Sequence, residues 1–168
     1  AARGVTVIYT GQNPDIKKLT EHRLRSPCEL ISTILMINWF NQNLRDKVTS
    51  LRAYKISGRY RLNDTFILKD DRFENAFVHN ASVPSYMPKE RQEQTAAYRA
   101  YGTRLIHWDY RMMDDWIDIL PKMFEDCVQL GIDIEHSYWK NTIRFKNVDL
   151  PKVGVEGWIA PLGKFEED

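Results

Sequence analysis

The stretch YKISGRYRL, residues 54–62, carries the main sequence signal for the predicted fold. Tyr54 and Ile56 alternate with Lys55 as in a half-buried strand, and Ser57-Gly58 then interrupts the run because glycine lets the backbone turn sharply. The pattern predicts a central strand that ends at this turn. Ligands of open α/β sheets bind beyond the carboxyl ends of strands. The residues that follow the strand are therefore candidates for a binding edge.

Three residues of this turn have binding chemistry. Gly58 lets a ligand approach the main chain, Arg59 offers a planar fork of donors to phosphate or carboxylate, and Tyr60 offers a flat face and a hydroxyl. An ordinary hairpin with a solvated outer face has the same local sequence. The residues alone leave both interpretations open.

Composition limits the classes of protein to consider. With 168 residues, of which 43% are hydrophobic and 28% charged, the chain has the composition of one globular domain. A formal net charge of +1 gives no basic field, so no nucleic-acid partner is expected. A single-stranded nucleic-acid binder that uses Arg59, Tyr60 and Arg61 is the least favoured hypothesis. Cys28 and Cys127 show no C-x-x-C spacing and predict reduced thiols in a cytoplasmic protein.

Helices and strands are predicted from periodicity and from end signals. The first long helix spans Ser26 to Asn43, with Glu29 completing a capping box at Ser26, and the second runs from Asp114 or Asp115 to Gly131. No run approaches the ~18 apolar residues of a membrane span. Strands are expected at residues 5–9, 66–68 and 75–79, in a hairpin over 98–108, and between 143 and 159. Residues 81–94 are predicted to be a mobile loop that covers a site.

Several motifs then follow in an order that resembles one family. KISGRYRL at residues 55–62 is followed by Thr103-Arg104, by DIEH at residues 133–136 and by EGWIAP at residues 156–161. Over about residues 26–163 the chain resembles a family of GT-A-like glycosyltransferases encoded in bacterial surface-polysaccharide clusters and in viruses and phages. The resemblance implies an α/β fold with a mixed, mostly parallel sheet flanked by helices, a reduced GT-A nucleotide-sugar transferase core.

The same resemblance implies a function and a site. The implied reaction moves a sugar from a nucleotide-diphosphate sugar to a glycan or polysaccharide acceptor. The implied catalytic residues, which orient the acceptor hydroxyl, are Glu135, His136 and Glu156. The implied substrate-binding residues are Lys55, Ser57, Gly58, Arg59, Tyr60, Arg104 and Trp158. Among these Arg59 is assigned to the donor phosphates, because charge on the departing diphosphate must be stabilised.

Two departures from the family pattern support an alternative. The chain has no D-x-D motif, the pair that holds a divalent cation on the donor in many glycosyltransferases, so a requirement for Mg²⁺ or Mn²⁺ is left open and no metal ligands are assigned. The single α/β domain predicted over residues 1–168 also begins with a core strand rather than the family's first βα unit. A shortened natural member and a chain that lacks an N-terminal part both fit. The alternative is a non-catalytic binding or structural protein, viral or on a cell surface, with a transferase-like fold.

Overall fold

A computed structural model describes residues 10, 12–47, 52–57, 60–159 and 163–167. The chain divides into two compact units, Ala1–Val48 and Thr49–Asp168. The strand expected at residues 5–9 lies outside the described residues, and so do Gly58 and Arg59. The single domain expected from composition stays a prediction.

The first unit contains two helices. Helix α1 spans Pro14–Glu21, and the side-chain oxygen of Asn13 caps it by accepting from the main-chain N–H of Asp15 at 2.9 Å. Helix α2 spans Arg25–Asn43 and leads into a 3₁₀ turn at Arg45–Lys47. The predicted end of this helix is confirmed.

The capping box expected at the start of α2 is wrong. The residue before the helix is Leu24, which makes no side-chain cap, and Ser26 and Glu29 lie inside the helix. The N-cap lies two residues earlier than the sequence predicted, and Cys28 N donates to the Leu24 carbonyl at 3.1 Å. The Ser-Pro pair therefore lies within the first turn and does not cap it.

The described part of the second unit alternates short strands with helices. Its strands are β1 (Arg52–Ile56), β2 (Tyr60–Leu62), β3 (Phe77–Asn80), β4 (Val83–Pro84), β5 (Arg99–Ala100), β6 (Leu105–Asp109), β7 (Asn147–Leu150), β8 (Val155–Ile159) and β9 (Lys164–Glu167). Its α-helices are α3 (Lys89–Thr95), α4 (Met113–Glu125) and α5 (Ile134–Thr142). Short 3₁₀ turns occur at Asp71–Phe73 and Tyr110–Met112, and a π-helical segment at Asp126–Leu130 follows α4.

The strands form three sheets, with the orders β1-β6-β3-β7, β2-β8-β9 and β4-β5. The mixed α/β class is therefore confirmed, but the expectation of a mostly parallel sheet is wrong. Among the described strand pairs only β3–β7 is parallel, because β6 runs between β1 and β3 in the opposite direction to both. The predicted strand at β1 is also confirmed, but its faces are reversed, because Lys55 is buried while Tyr54 and Ile56 are exposed. It lies at the edge, not the centre, of the sheet that the described strands form.

Aromatic side chains fill the space between the four-stranded sheet and helices α4 and α5. Trp108 and Trp116 pack with ring centroids 4.9 Å apart, and Phe77 and Tyr138 are fully buried beside them. The α4 segment ends as predicted at Gly131, which has the left-handed φ of 61° that favours glycine. This core holds the start of α5 in place.

Three other expectations are wrong. Residues 66–68 form no strand, and the predicted loop at 81–94 contains β4 and the start of α3. The hairpin expected over 98–108 does not form, because β5 pairs with β4 and β6 pairs with β1 and β3. Strand partners in this unit lie far apart in the sequence, and local patterns do not identify them.

A close main-chain contact precedes β8. Gly154 has φ +80°, and a Cβ built on it would lie 2.2 Å from the Cα of Phe66. The Gly154 carbonyl accepts from Asn63 N at 3.0 Å, so the turn at residues 63–66 rests directly on this glycine. Phe66 and Tyr60 then pack against a core cluster that includes Val155.

Within the described residues, no helix combines the length and the apolar character that a bilayer crossing requires.

Candidate functional site

Four polar residues lie together at one end of two paired strands of the four-stranded sheet, where β1 ends and β6 begins. We call Lys55, Ser57, Thr103 and Glu135 the strand-edge cluster. The Lys55 ammonium donates to the Thr103 carbonyl at 3.1 Å and to Ser57 Oγ at 3.2 Å, and Lys55 is only 9% exposed. Thr103 Oγ1 in turn donates to Glu135 Oε1 at 3.0 Å. Residues that are distant in the sequence are therefore joined by hydrogen bonds.

Main-chain bonds fix the position of this cluster. The register pairs Ile56 with Leu105, and Ser57 N donates to the Arg104 carbonyl at 2.9 Å. The N-terminus of α5 is attached to the same edge because Tyr101 N donates to the Glu135 carbonyl at 3.2 Å. The cluster is thus built on two strand ends and one helix end, which are rigid supports for a binding site.

Arg104 lies over the three-stranded sheet. Its guanidinium is 5.6 Å from the centre of the Tyr60 ring and forms an ion pair with Glu166. Tyr60 and Glu166 lie on either side of Gly157 in the strand register, so all three occupy one face. This arrangement brings the predicted residues Tyr60 and Arg104 together.

Glu156 and Trp158 lie on the opposite face of that sheet. Side chains alternate along a strand, so these residues point away from the face that holds Gly157. Glu156 accepts from Arg61 Nε at 2.5 Å, and Trp158 packs edge-on against Phe165 with centroids 5.8 Å apart. Trp158 is 57% exposed. The structure does not bring these two predicted residues to the strand-edge cluster.

His136 belongs to a second group, although it is the direct neighbour of Glu135. Its ring is fully buried, with Nδ1 2.6 Å from Asp133 Oδ1 and Nε2 2.9 Å from Ser85 Oγ. Tyr86 packs edge-on against the ring at 4.5 Å and donates its hydroxyl to Asp133. We call Ser85, Tyr86, Asp133 and His136 the Ser85 cluster. The predicted pair Glu135-His136 is thus divided between two clusters.

The electrostatics of the Ser85 cluster follow from burial and from its carboxylates. Partial burial raises the pKa of Tyr86, and the hydrogen bond to Asp133 and the negative charges of Asp133 and Glu135 raise it further. The phenol therefore remains a donor at physiological pH. Among the residues that the structure describes, no group of three or more His, Cys, Asp or Glu side chains is arranged to hold a metal ion.

The first unit has an open cleft of its own. It has a volume of about 560 Å³ and lies beside the start of α2. Its lining includes the side chains of Arg23, Arg25, Cys28 and Glu29. Arg23 precedes α2, and Arg25 is the first residue of that helix.

Sequence reasoning did not select Ser85, Asp133 or Glu166. Asp133 had a readable signal, because an Asp three residues before His136 at a helix start is a typical N-cap. Ser85 and Glu166 had none, since Ser85 meets His136 only where the turn after β4 lies beside α5, and Glu166 meets Arg104 only through strand pairing. The assigned residues Gly58 and Arg59 lie outside the described residues, between Ser57 and Tyr60.

Comparisons of the chain with protein-family models, with curated proteins and with solved structures found no match. The relation to GT-A-like glycosyltransferases therefore stays a prediction based on sequence motifs.

Proposed function

We propose that this chain transfers a sugar from a nucleotide-diphosphate sugar to a glycan acceptor, with its donor site at the strand-edge cluster and Arg104. The observation that supports this most is the meeting of Lys55, Ser57 and Glu135 in one hydrogen-bonded group. These three residues come from two separate motifs of the sequence. Convergence of residues that are distant in the sequence is expected of a site and is unusual for a solvated hairpin.

The cations near this edge can bind an anionic ligand, although the carboxylates of Glu135 and Glu166 offset their charge in the free protein. Lys55 and Arg104 contribute two cations close to the end of β1, and the predicted phosphate ligand Arg59 belongs to the same connection in the sequence. Arg104 forms an ion pair with the Glu166 carboxylate. The phosphate of a sugar-nucleotide donor would replace this carboxylate, because a guanidinium binds carboxylate and phosphate with the same fork of donors.

The acceptor side of the proposal assigns Glu135 as the carboxylate that orients the attacking hydroxyl. Glu135 belongs to the strand-edge cluster and accepts a hydrogen bond from the Thr103 hydroxyl there. The exposed ring of Trp158 offers a stacking face for a glycan chain on the other side of the three-stranded sheet. The roles of His136 and Glu156, a requirement for Mg²⁺ or Mn²⁺, and a cytoplasmic location stay predictions.

Calorimetric titration with a panel of sugar nucleotides tests the donor site. The key variant is Arg104→Ala, and Arg61→Ala is the matched control, because Arg61 is 79% exposed and pairs with Glu156 on the opposite face. We expect one sugar nucleotide to bind the unmodified chain and Arg104→Ala to weaken binding by about tenfold or more, the worth of one charge-assisted hydrogen bond. Arg61→Ala should bind as the unmodified chain does.

The outcomes separate the hypotheses. Binding together with transfer of labelled sugar to a glycan supports the transferase. Binding without turnover under all metal conditions supports the non-catalytic alternative. If no sugar nucleotide binds, or if the two arginine variants behave alike, the proposed donor site is wrong.

A further inference from the structure

Ser85, His136 and Asp133 form a continuous line of hydrogen bonds. Ser85 Oγ lies 2.9 Å from His136 Nε2, and His136 Nδ1 lies 2.6 Å from Asp133 Oδ1. A carboxylate only accepts, so Nδ1 carries the proton that faces Asp133. In the neutral ring Nε2 is then the acceptor, and the serine hydroxyl donates to it. This is the proton arrangement of an activated serine nucleophile.

The main chain holds each member of the line in place. Asp133 is the N-cap of α5 and accepts from His136 N at 2.9 Å, so the Asp-x-x-His spacing places both side chains on the first helical turn. Ser85 directly follows β4, and its N–H donates to the Tyr98 carbonyl at 2.9 Å. The Gln92 side chain donates to the Met87 carbonyl at 2.7 Å and holds the following turn.

Access to the line is through the serine. His136 is fully buried, whereas Ser85 is half-buried, so a ligand meets the serine Oγ before the imidazole. Met87 N–H lies 3.2 Å from this oxygen and is the nearest hydrogen-bonded main-chain donor. Tyr86 packs edge-on against the imidazole, with ring centroids 4.5 Å apart. Because Ser85 is only half-exposed, the site suits a small electrophilic group.

We propose that Ser85, His136 and Asp133 are a nucleophilic site that cleaves esters of small carboxylic acids, a reaction separate from sugar transfer. Ser85 Oγ attacks the ester carbonyl carbon, and its proton passes to His136 Nε2. The ester C–O bond breaks, and the leaving alcohol takes that proton. Water then attacks the acyl-serine by the same route, releases the carboxylic acid and restores the Ser85 hydroxyl.

The other groups support these steps. Asp133 is a positioning residue, which holds the imidazole in the required tautomer and stabilises its charged form. Met87 N–H donates to Ser85 Oγ itself at 3.2 Å and so holds the nucleophile in place.

Covalent labelling of the full chain with a fluorophosphonate probe tests the site, with peptide mapping by mass spectrometry and release of p-nitrophenol from p-nitrophenyl acetate as readouts. Ser85→Ala removes the nucleophile. Ser82→Ala is the matched control, because Ser82 lies in the same segment and bonds to Arg99 instead. We expect label on Ser85, with ester cleavage reduced about 100-fold or more in Ser85→Ala and unchanged in Ser82→Ala.

Asp133→Asn separates catalysis from folding, because asparagine is as good an N-cap as aspartate but has no charge. We expect it to slow labelling of Ser85 by about 100-fold while the melting temperature stays close to that of the unmodified chain. Absence of label on Ser85 in the folded chain would overturn the proposal. Labelling of Asp133→Asn at the unmodified rate would overturn it too, and the line of hydrogen bonds would then be structural only.

Discussion

His107 and His136 are both buried, but they carry their protons on opposite nitrogens. Nδ1 of His107 receives hydrogen bonds from Arg52 Nε at 3.1 Å and Nη2 at 2.9 Å, and because arginine only donates, this nitrogen has no proton. Nδ1 of His136 faces the Asp133 carboxylate and keeps its proton. In each neutral ring, the hydrogen-bond partner of Nδ1 therefore determines whether Nε2 is a donor or an acceptor.

The surroundings of His107 make it a structural residue. Burial, together with the positive charge of Arg52 and the neighbouring His79, lowers the pKa of His107 to about 3. Tyr54 stacks on the ring at 5.1 Å and Phe73 packs edge-on at 5.0 Å. The imidazole is therefore held neutral between a cation and aromatic rings. His136 instead has the Asp133 carboxylate at Nδ1 and a serine hydroxyl at its other nitrogen.

The variant expected to lower stability most is Arg52→Ala, which tests the structural role of His107. Arg52→Ala removes the donor to His107 and the 2.6 Å bond to the Phe73 carbonyl, leaving two acceptors without that donor. We expect the free energy of unfolding, measured by urea denaturation, to fall by about 2–4 kcal/mol. Arg72→Ala is the control, because Arg72 is exposed and pairs with Asp70. Equal losses for the two variants would contradict the structural role of Arg52.

The second prediction concerns pH. A histidine whose folded pKa lies below its unfolded value of about 6.5 binds fewer protons when folded, so its contribution to stability is present above pH 6.5 and is lost as the pH falls toward 3. Between pH 6.5 and 5.0 the loss from His107 should be about 1.5 kcal/mol, since one proton corresponds to about 1.4 kcal/mol per pH unit.

Urea denaturation of the unmodified chain and of His107→Gln across this range measures the effect. Glutamine does not titrate but still accepts from Arg52, so the variant should show a shallower decline. Some decline should remain, because burial also lowers the pKa of His79. If the two pH profiles are parallel, the assignment of a neutral His107 is wrong.

Variants of Asp133, the partner of His136, are expected to change stability least. Asp133→Ala removes the N-cap of α5 and the partner of Nδ1, and should cost about 1 kcal/mol in thermal or urea unfolding. Asp133→Asn keeps the cap and should cost a few tenths of a kcal/mol. If the asparagine variant were as unstable as the alanine variant, the charge on Asp133 would be needed for folding and a role limited to capping would be wrong.

Features with local sequence signals were predictable. The strand at β1 follows from alternation, although the face that is buried carries Lys55 and not Tyr54 and Ile56. The end of the helical segment at Gly131 follows from the glycine itself. The pairing of β6 with two distant strands could not be predicted, and the predicted hairpin failed for that reason.

Features that depend on register or on long-range contacts were beyond the sequence. The faces occupied by Glu156 and Trp158 are set by the pairing of Tyr60 with Gly157, and a shift of one residue would reverse them. Ser85 meets His136 because the turn that follows β4 lies beside the start of α5, and nothing in the residues around Ser85 signals this contact.

Gly154 has a consequence for how the sequence can vary. The atoms that a Cβ at this position would strike are the main-chain Cα and N of Phe66, at 2.2 and 2.4 Å. No second-site suppressor at position 66 can remove backbone atoms, so an epistatic rescue of Gly154→Ala through that neighbour is ruled out. Gly163 has a similar positive φ but open space around it, so asparagine, which adopts such angles more readily than other residues, is the replacement that a mutational scan should recover there and not at 154.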